Sequence, residues 1–284
     1  VVVAHLDTNP QVCGNGVALL AGAGLEVSTG IEADAAIEIN AGFNTWMALR
    51  RPYVHLKVAQ SLDGRLAAAD GSSSWITDEQ ARAHAQSERG QCDAVVVGIR
   101  TVLADDPLLT VRYGPKRSPV AVVFDSHARL PLSSRLVGER PGETILVTTA
   151  HAPHDQVEAL KRVGVTVLCV DGGADGLEIA DALRQLAAHG VRSLYVEGGR
   201  TLIASFLAAG LYDRLTCYVA PLLIGGPNVA IEPSQAASIE DAVRLERARS
   251  EVIADQALLT GFRPGWWSAV YEAMKEATYV HRTD

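Results

Sequence analysis

Apolar and polar positions alternate in blocks along this chain, and the blocks change period. Residues 1–4 read as a short buried strand. The stretch 9–24 reads as a turn and a short helix closed by glycine, "LEVSTG" as another strand, and 33–50 as one helix. Pro52 then breaks the helix, and "YVHLKVA" is strand-like. A helix over 77–90, with Thr77 as its N-cap, leads into the apolar run "CDAVVVG". Beyond it come "SPVAVVFD", "TILVTT", a helix near 155–163, "VTVLCV", a helix near 177–189, "SLYVEGG", a helix at 200–209 and "RLTCYVAPLLIGG". Near-continuous apolar strands that alternate with helices predict an α/β fold with a mainly parallel sheet, whose ligands sit at the carboxyl ends of the strands. The tail from Pro264 reads as a last helix. No repeat or low-complexity tract interrupts the pattern.

With 284 residues and a net charge of −8, the chain buries a sizeable core and lacks the basic balance of a non-specific nucleic-acid binder. No apolar run is long enough for a membrane helix. The start carries neither a signal-like segment nor an initiator Met, which reads as a fragment. Cys13, Cys92, Cys169 and Cys217 are scattered without a CxxC pair and fit free thiols in a reducing cytoplasm.

Four stretches carry candidate chemistry. In "VEGGRTLIAS" an acid, Glu197, and two glycines, Gly198 and Gly199, join a strand to a helix that offers the hydroxyls of Thr201 and Ser205. Such a join cradles a phosphate or merely packs the helix tightly on the sheet. It is not the GxGxxG fingerprint of dinucleotide-binding folds. In the second stretch, 57–90, Lys57 and Asp63 bracket a strand end, and Trp75 fits either ring stacking or a core position. Arg89 there fits either a bidentate anion clamp or a solvated helix face. In the third, "GIRTVLADDPLLTVR", Asp105 and Asp106 lack the further ligands a metal needs. In the fourth, "FDSHARLP", Ser126 follows a strand end and Arg129 reaches either a ribose phosphate or water.

Taken together, "LKVAQSLDGRLAAADGSSSWIT", "TVLADDPLLTVR" and "VEGGRTLIASFLAAGLYDRL…APLLIGG" resemble the reductase domain of the riboflavin-biosynthesis bifunctional deaminase–reductases, over about residues 51–262. Residues 1–50 are similar to the last part of that family's zinc deaminase domain, a β-α-β-α remnant, which gives domains 1–50 and 51–284. The zinc signature H-x-E with P-C-x-x-C does not occur in the chain, so deaminase activity and a metal are not expected from it.

The resemblance implies a dihydrofolate-reductase-like fold with helices on both faces of the sheet. It also implies NADPH-dependent reduction of the ribosyl group of 5-amino-6-(5-phosphoribosylamino)uracil to the ribityl product, in a cytoplasmic homodimer. For NADPH it implies Ala59, Trp75, Thr101, Asp105, Ser126 and the run Gly199, Arg200, Thr201, Leu202, Ile203, Ala204 and Ser205. For the substrate, a small phosphorylated pyrimidine, it implies Ser73, Arg89, Leu109, Arg112 and Glu197. Arg89 and Arg112 suit the 5′-phosphate, and Glu197 the pyrimidine or sugar. Lys57 and Asp63 are the candidates for proton transfer during ring opening. Arg100 departs from the family pattern, which carries a small residue there, and Arg214 replaces a commoner acid. A paralogue acting on another pyrimidine or pteridine, or a non-catalytic nucleotide-binding scaffold, are the competing readings.

Overall fold

The computed structural model describes residues 1–72, 76–113, 118–173, 176–231 and 237–280. The chain forms two compact units, Val1–Tyr53 with Pro264–Asp284, and Val54–Arg263.

In the first unit, strands β1 (Val2–Val3) and β2 (Ser28–Thr29) pair in parallel, and helix α1 (Asn15–Gly22) connects them. The helix expected over 33–50 is two helices, α2 (Ala33–Ile39) and α3 (Ala41–Leu49). Asn40 divides them. Its backbone leaves the helical region (φ −99°, ψ 21°), and its side-chain amide donates to the Ala36 carbonyl at 3.0 Å. A short amide competes in this way with the helix's own bonds. The C-terminal helix Trp266–Val280 belongs to this unit rather than to the reductase portion that the sequence reading extended to residue 284. Its Trp266 is fully buried, and the indole Nε1 donates to Thr45 Oγ1 at 2.9 Å.

The second unit is built on a nine-stranded sheet. In chain order its elements are β3 (Tyr53–Ser61), α4 (Glu79–Gly90), β4 (Ala94–Gly98), α5 (Ile99–Asp105), β5 (Val120–Phe124), α6 (Arg135–Glu139), β6 (Thr144–Thr149), α7 (His154–Arg162) and β7 (Thr166–Val170). A small hairpin of β8 (Gly172–Gly173) and β9 (Gly176–Leu177) follows, then α8 (Ile179–Ala188), β10 (Ser193–Val196), α9 (Arg200–Ala209), β11 (Arg214–Ala220), β12 (Glu246–Ile253) and β13 (Gln256–Phe262). Across the sheet the order is β12-β13-β11-β3-β10-β4-β5-β6-β7. The pairs β11–β3, β10–β4, β4–β5, β5–β6 and β6–β7 are parallel, while β13 runs antiparallel to both β11 and β12.

Burial on both faces explains the unbroken apolar strands. On one face Val95, Val97, Ala121, Val123 and Leu146 pack with Val102, Leu136 and Leu160 of the helices. On the other, Ala94, Val96, Val122, Val147 and Val196 pack with Leu183, Leu186 and Phe206. Helix α4 is capped by Asp78, not Thr77: the Asp78 carboxylate accepts from Ala81 N at 2.8 Å. The charged edge strand β12, exposed along most of its length, has no apolar period and was not foreseen.

Candidate active site

The carboxyl ends of β3, β10, β4 and β5 lie side by side in that order, and the candidate residues follow from them. Glu197 comes directly after β10, where its backbone N–H donates to the Val96 carbonyl at 2.9 Å. Arg89, on the last turn of α4, meets it in a bidentate pair: Nε to Oε1 at 2.6 Å and Nη2 to Oε2 at 2.8 Å. Nη1 donates to the Thr110 carbonyl at 2.7 Å. Both side chains are nearly buried, at 13% and 15% exposure. Burial pushes the Glu197 carboxyl up, yet the Arg89 charge and hydrogen bonds, with Lys57, hold it below the ordinary carboxylate range. Burial likewise pulls on the Arg89 guanidinium, and Glu197 outweighs it, so its pKa is raised.

Lys57 stands on β3, opposite Thr216 of β11. Burial lowers its pKa, and the Arg89 charge lowers it further, against the opposing pull of Glu197 and of Cys217. Its Nζ lies 5.7 Å from the centre of the Tyr218 ring, whose hydroxyl is hydrogen-bonded to His84 Nδ1 at 2.8 Å. Cys217 is pushed up to about 11, again chiefly by burial.

Asp63 has other work. Its carboxylate accepts from Ser61 Oγ at 2.5 Å, Ile224 N at 3.0 Å and Gly225 N at 2.7 Å, so it ties the turn after β3 to the loop after β11. The Ser61 hydrogen bond, helped by those backbone donors, lowers its pKa from 3.8 to about 2. A carboxyl that acidic holds no proton to transfer near neutral pH. Because the folded value is the lower one, its contribution to stability is complete above about 4 and is lost as pH falls toward about 2. Asp63→Asn therefore flattens the acid limb of stability in that window, read as urea midpoint against pH. A limb unchanged in the variant removes this role.

A cleft of about 650 Å³ opens in the same unit; Arg89, Glu197 and Lys57 are not among its walls, and Glu197 lies two residues before the wall residue Gly199. Its walls include Thr101, Asp105, Ser126, Gly199, Arg200, Thr201, Leu202 and Ser205, eight of the residues implied for the cofactor. Ala59, Ile203 and Ala204 are not among them. Ala59 packs with Ala81 and Tyr218 beneath α4, and Ile203 is buried in the core. Trp75 and Ser73 lie outside the described residues.

The two glycines before α9 differ. A Cβ on Gly198 would stand 2.7 Å from Leu202 Cβ and 2.6 Å from its Cδ2, so Gly198 serves the close turn of the chain onto its own helix. A Cβ on Gly199, the N-cap, would meet no atom of the described residues within 4 Å, and Gly199 lines the cleft.

Leu109 is buried in the core with φ +55°, a left-handed backbone, one residue before the carbonyl that receives Arg89. Arg112 is exposed, and its backbone N–H donates to Gln86 Oε1 at 2.6 Å, which pins this loop to α4. Sequence reasoning missed Asn228 and β9 as cleft walls, and Tyr218, which faces Lys57 and is hydrogen-bonded to His84. These come from distant segments and carry no local motif. Among the described residues no cluster of three or more His, Cys, Asp or Glu could hold a metal, and no helix is long and apolar enough to cross a membrane.

A parallel α/β sheet with an antiparallel edge and a strand-end cleft defines the dihydrofolate-reductase-like class of reductase domains. Residues 52–259 match the model of the RibD C-terminal domain, and the chain belongs to that family. It is 36% identical to the riboflavin biosynthesis protein RibD of Aquifex aeolicus, over 91% of this chain and 71% of that protein. It is also 36% identical to the 2,5-diamino-6-ribosylamino-4(3H)-pyrimidinone 5′-phosphate reductase of Methanothermobacter thermautotrophicus, over 74% of this chain and 97% of that one. Among solved structures, Acinetobacter baumannii RibD superposes with a TM-score of 0.78 at 34% identity, covering 92% of this chain and 72% of the other.

Proposed function

We propose that this chain is the reductase of riboflavin biosynthesis that converts the ribosyl group of 5-amino-6-(5-phosphoribosylamino)uracil to the ribityl group, with NADPH as reductant. The observation that carries the reading is the buried Arg89–Glu197 pair beside Lys57, at the strand ends that continue into a 650 Å³ cleft. The relatives' printed names, a riboflavin biosynthesis protein and a ribosylaminopyrimidinone phosphate reductase, point to the same chemistry.

The cleft residues fit a nicotinamide dinucleotide. Gly199 leaves open space at the N-terminus of α9, where backbone N–H groups favour a diphosphate, and Thr101, Ser126, Thr201 and Ser205 add hydroxyls. NADPH, when bound, supplies the hydride.

The chain's own groups do the rest. Glu197, fixed by Arg89, presents an ionised carboxylate to the polar pyrimidine or the sugar. All three arms of Arg89 are committed to Glu197 and Thr110, so Arg89 positions Glu197 and the 5′-phosphate falls to Arg112. Opening the cyclic ribosylamine to an imine requires a proton donor and acceptor. Lys57 serves in that role, its burial making the neutral amine more accessible. Asp63, ionised and hydrogen-bonded by Ser61, Ile224 and Gly225, is left only the acceptor's part.

The unit Val1–Tyr53 with Pro264–Asp284 is read as the closing part of a deaminase-like domain. A cytoplasmic homodimer completes the reading and rests on the family resemblance alone.

The test is nicotinamide absorbance with purified chain, NADPH and either the deaminated ribosylaminouracil phosphate or its non-deaminated precursor. NADPH loss with the uracil compound is the expected result. Loss with the precursor alone moves the substrate to the diaminopyrimidinone, and no loss with either, despite cofactor binding, leaves a scaffold.

A further inference from the structure

Lys57 is partly buried on β3, and burial disfavours its ammonium form. Arg89 of α4 repels the ammonium, and Glu197 after β10 attracts it. The Cys217 thiol on β11, pushed up to about 11, is uncharged near neutral pH. A further neighbour is an aromatic face. Lys57 Nζ lies over the ring of Tyr218, 5.7 Å from its centre, within the range at which a cation and a ring face attract.

The local structure builds that face. Lys57 is the register partner of Thr216 on β11, and Ala59 that of Tyr218. Lys57 and Tyr218 therefore stand diagonally across neighbouring strands, on one face of the sheet. Ala59, Ala81 and Ala85 pack with the ring, and three methyl side chains leave room for an aromatic beneath α4. The ring is fully buried, and its hydroxyl is hydrogen-bonded to His84 Nδ1 at 2.8 Å, so its far end is fixed as well. Glu88 of α4, Tyr195 of β10, Glu197 and Arg214 of β11 also act on that hydroxyl.

We propose that Tyr218 is a positioning residue for Lys57, its ring face holding the ammonium where Lys57 exchanges protons with the sugar. The proposal rests on the proton-transfer role given to Lys57 above. A ring face attracts an ammonium and does little for a neutral amine. Tyr218 thus offsets part of what burial and Arg89 do, and Lys57 keeps both forms within reach. Opening the sugar needs both, since one proton is taken up and another given back.

The chain has four lysines, Lys57, Lys116, Lys161 and Lys275. The titration of Lys57 is therefore readable by NMR of the full chain with isotope-labelled lysine, its signal assigned by loss in Lys57→Met. Tyr218→Phe keeps the ring and is expected to leave the Lys57 midpoint close to that of the wild type. A trifluorinated phenylalanine at the same position keeps the shape and withdraws charge from the ring face, so the midpoint falls by roughly one unit. Tyr218→Leu, which removes the ring, lowers it likewise. The limb of kcat/KM against pH that Lys57 governs moves with the midpoint. A midpoint that the fluorinated ring leaves in place, or that Tyr218→Phe lowers equally, overturns the proposal. So does a kinetic limb that stays while the midpoint falls. A ring-dependent midpoint in a chain that turns over neither ribosylaminopyrimidine upholds the hold on the ammonium and defeats the reductase reading instead.

Discussion

Arg89→Ala is expected to lower the unfolding free energy by about 3–5 kcal/mol and to remove turnover, because it strands the buried Glu197 carboxylate without its partner. Two parallel hydrogen bonds and the opposite charge keep Glu197 ionised against its burial. Without them the carboxylate must take a proton or draw in water. Glu197→Gln retains the volume and loses the charge, so it also abolishes turnover. The double variant Arg89→Met with Glu197→Met tests the argument. Removing both charges should restore much of the stability and none of the activity, since an uncompensated buried ion costs more than a missing pair. Urea unfolding of the three variants reads the first part, and nicotinamide absorbance the second. If the double variant is as unstable as Arg89→Ala, the cost lies in packing rather than charge.

Adjacent glycines should behave in opposite ways. Gly198→Ala forces a methyl to within 2.7 Å of Leu202 Cβ, an atom fixed to the first turn of α9 that cannot rotate away, so the turn itself must shift. Overpacking of this kind costs about 1–3 kcal/mol in stability. Gly199→Ala meets no atom of the described residues and has an ordinary extended backbone, φ −66° and ψ 172°, so stability should hold. Its methyl enters the cleft instead, and NADPH affinity falls roughly ten- to a hundredfold. Thermal midpoints and calorimetric titration separate the two. Equal losses of stability would mean that the open space at Gly199 closes in solution.

Much of the second unit was legible before any coordinates. The valine-rich runs 94–98 and 120–124 announce strands buried on both faces, and the expected helices near 155–163, 177–189 and 200–209 form as His154–Arg162, Ile179–Ala188 and Arg200–Ala209. Short-range competition was harder to read. Asp78 rather than Thr77 caps α4, because its carboxylate reaches Ala81 N, and Asn40 splits an otherwise continuous apolar pattern. The hairpin β12–β13 was invisible because an exposed, charged edge strand has no face to bury.

At the site the division is similar. Local motifs pointed to Glu197, Gly199, Thr101 and Ser126, since each lies within three residues of a strand's carboxyl end, and the fold gathers Gly199, Thr101 and Ser126 at one cleft. Asp63 looked equally promising, being acidic and at a turn, yet its oxygens are occupied by Ser61, Ile224 and Gly225. The Ile224 and Gly225 contacts come from more than 160 residues away, beyond any local pattern. The same holds for Arg89 and Glu197, which are 108 positions apart and meet only because α4 ends beside β10.

Periodicity, strand-end glycines and the order of apolar runs determined by themselves a mainly parallel α/β fold with ligands expected at its strand ends, and the reductase expectation came from the motifs' resemblance to a family. These are properties of neighbouring residues, and the hydrophobic effect and local backbone sterics act on them directly. Tertiary structure alone decided which charges pair and which remain available. The guanidinium of Arg89 is spent on Glu197 and Thr110, and burial lowers the pKa of Lys57. Ionisation depends on burial and on charges brought together from distant parts of the chain, and only the folded sheet sets both.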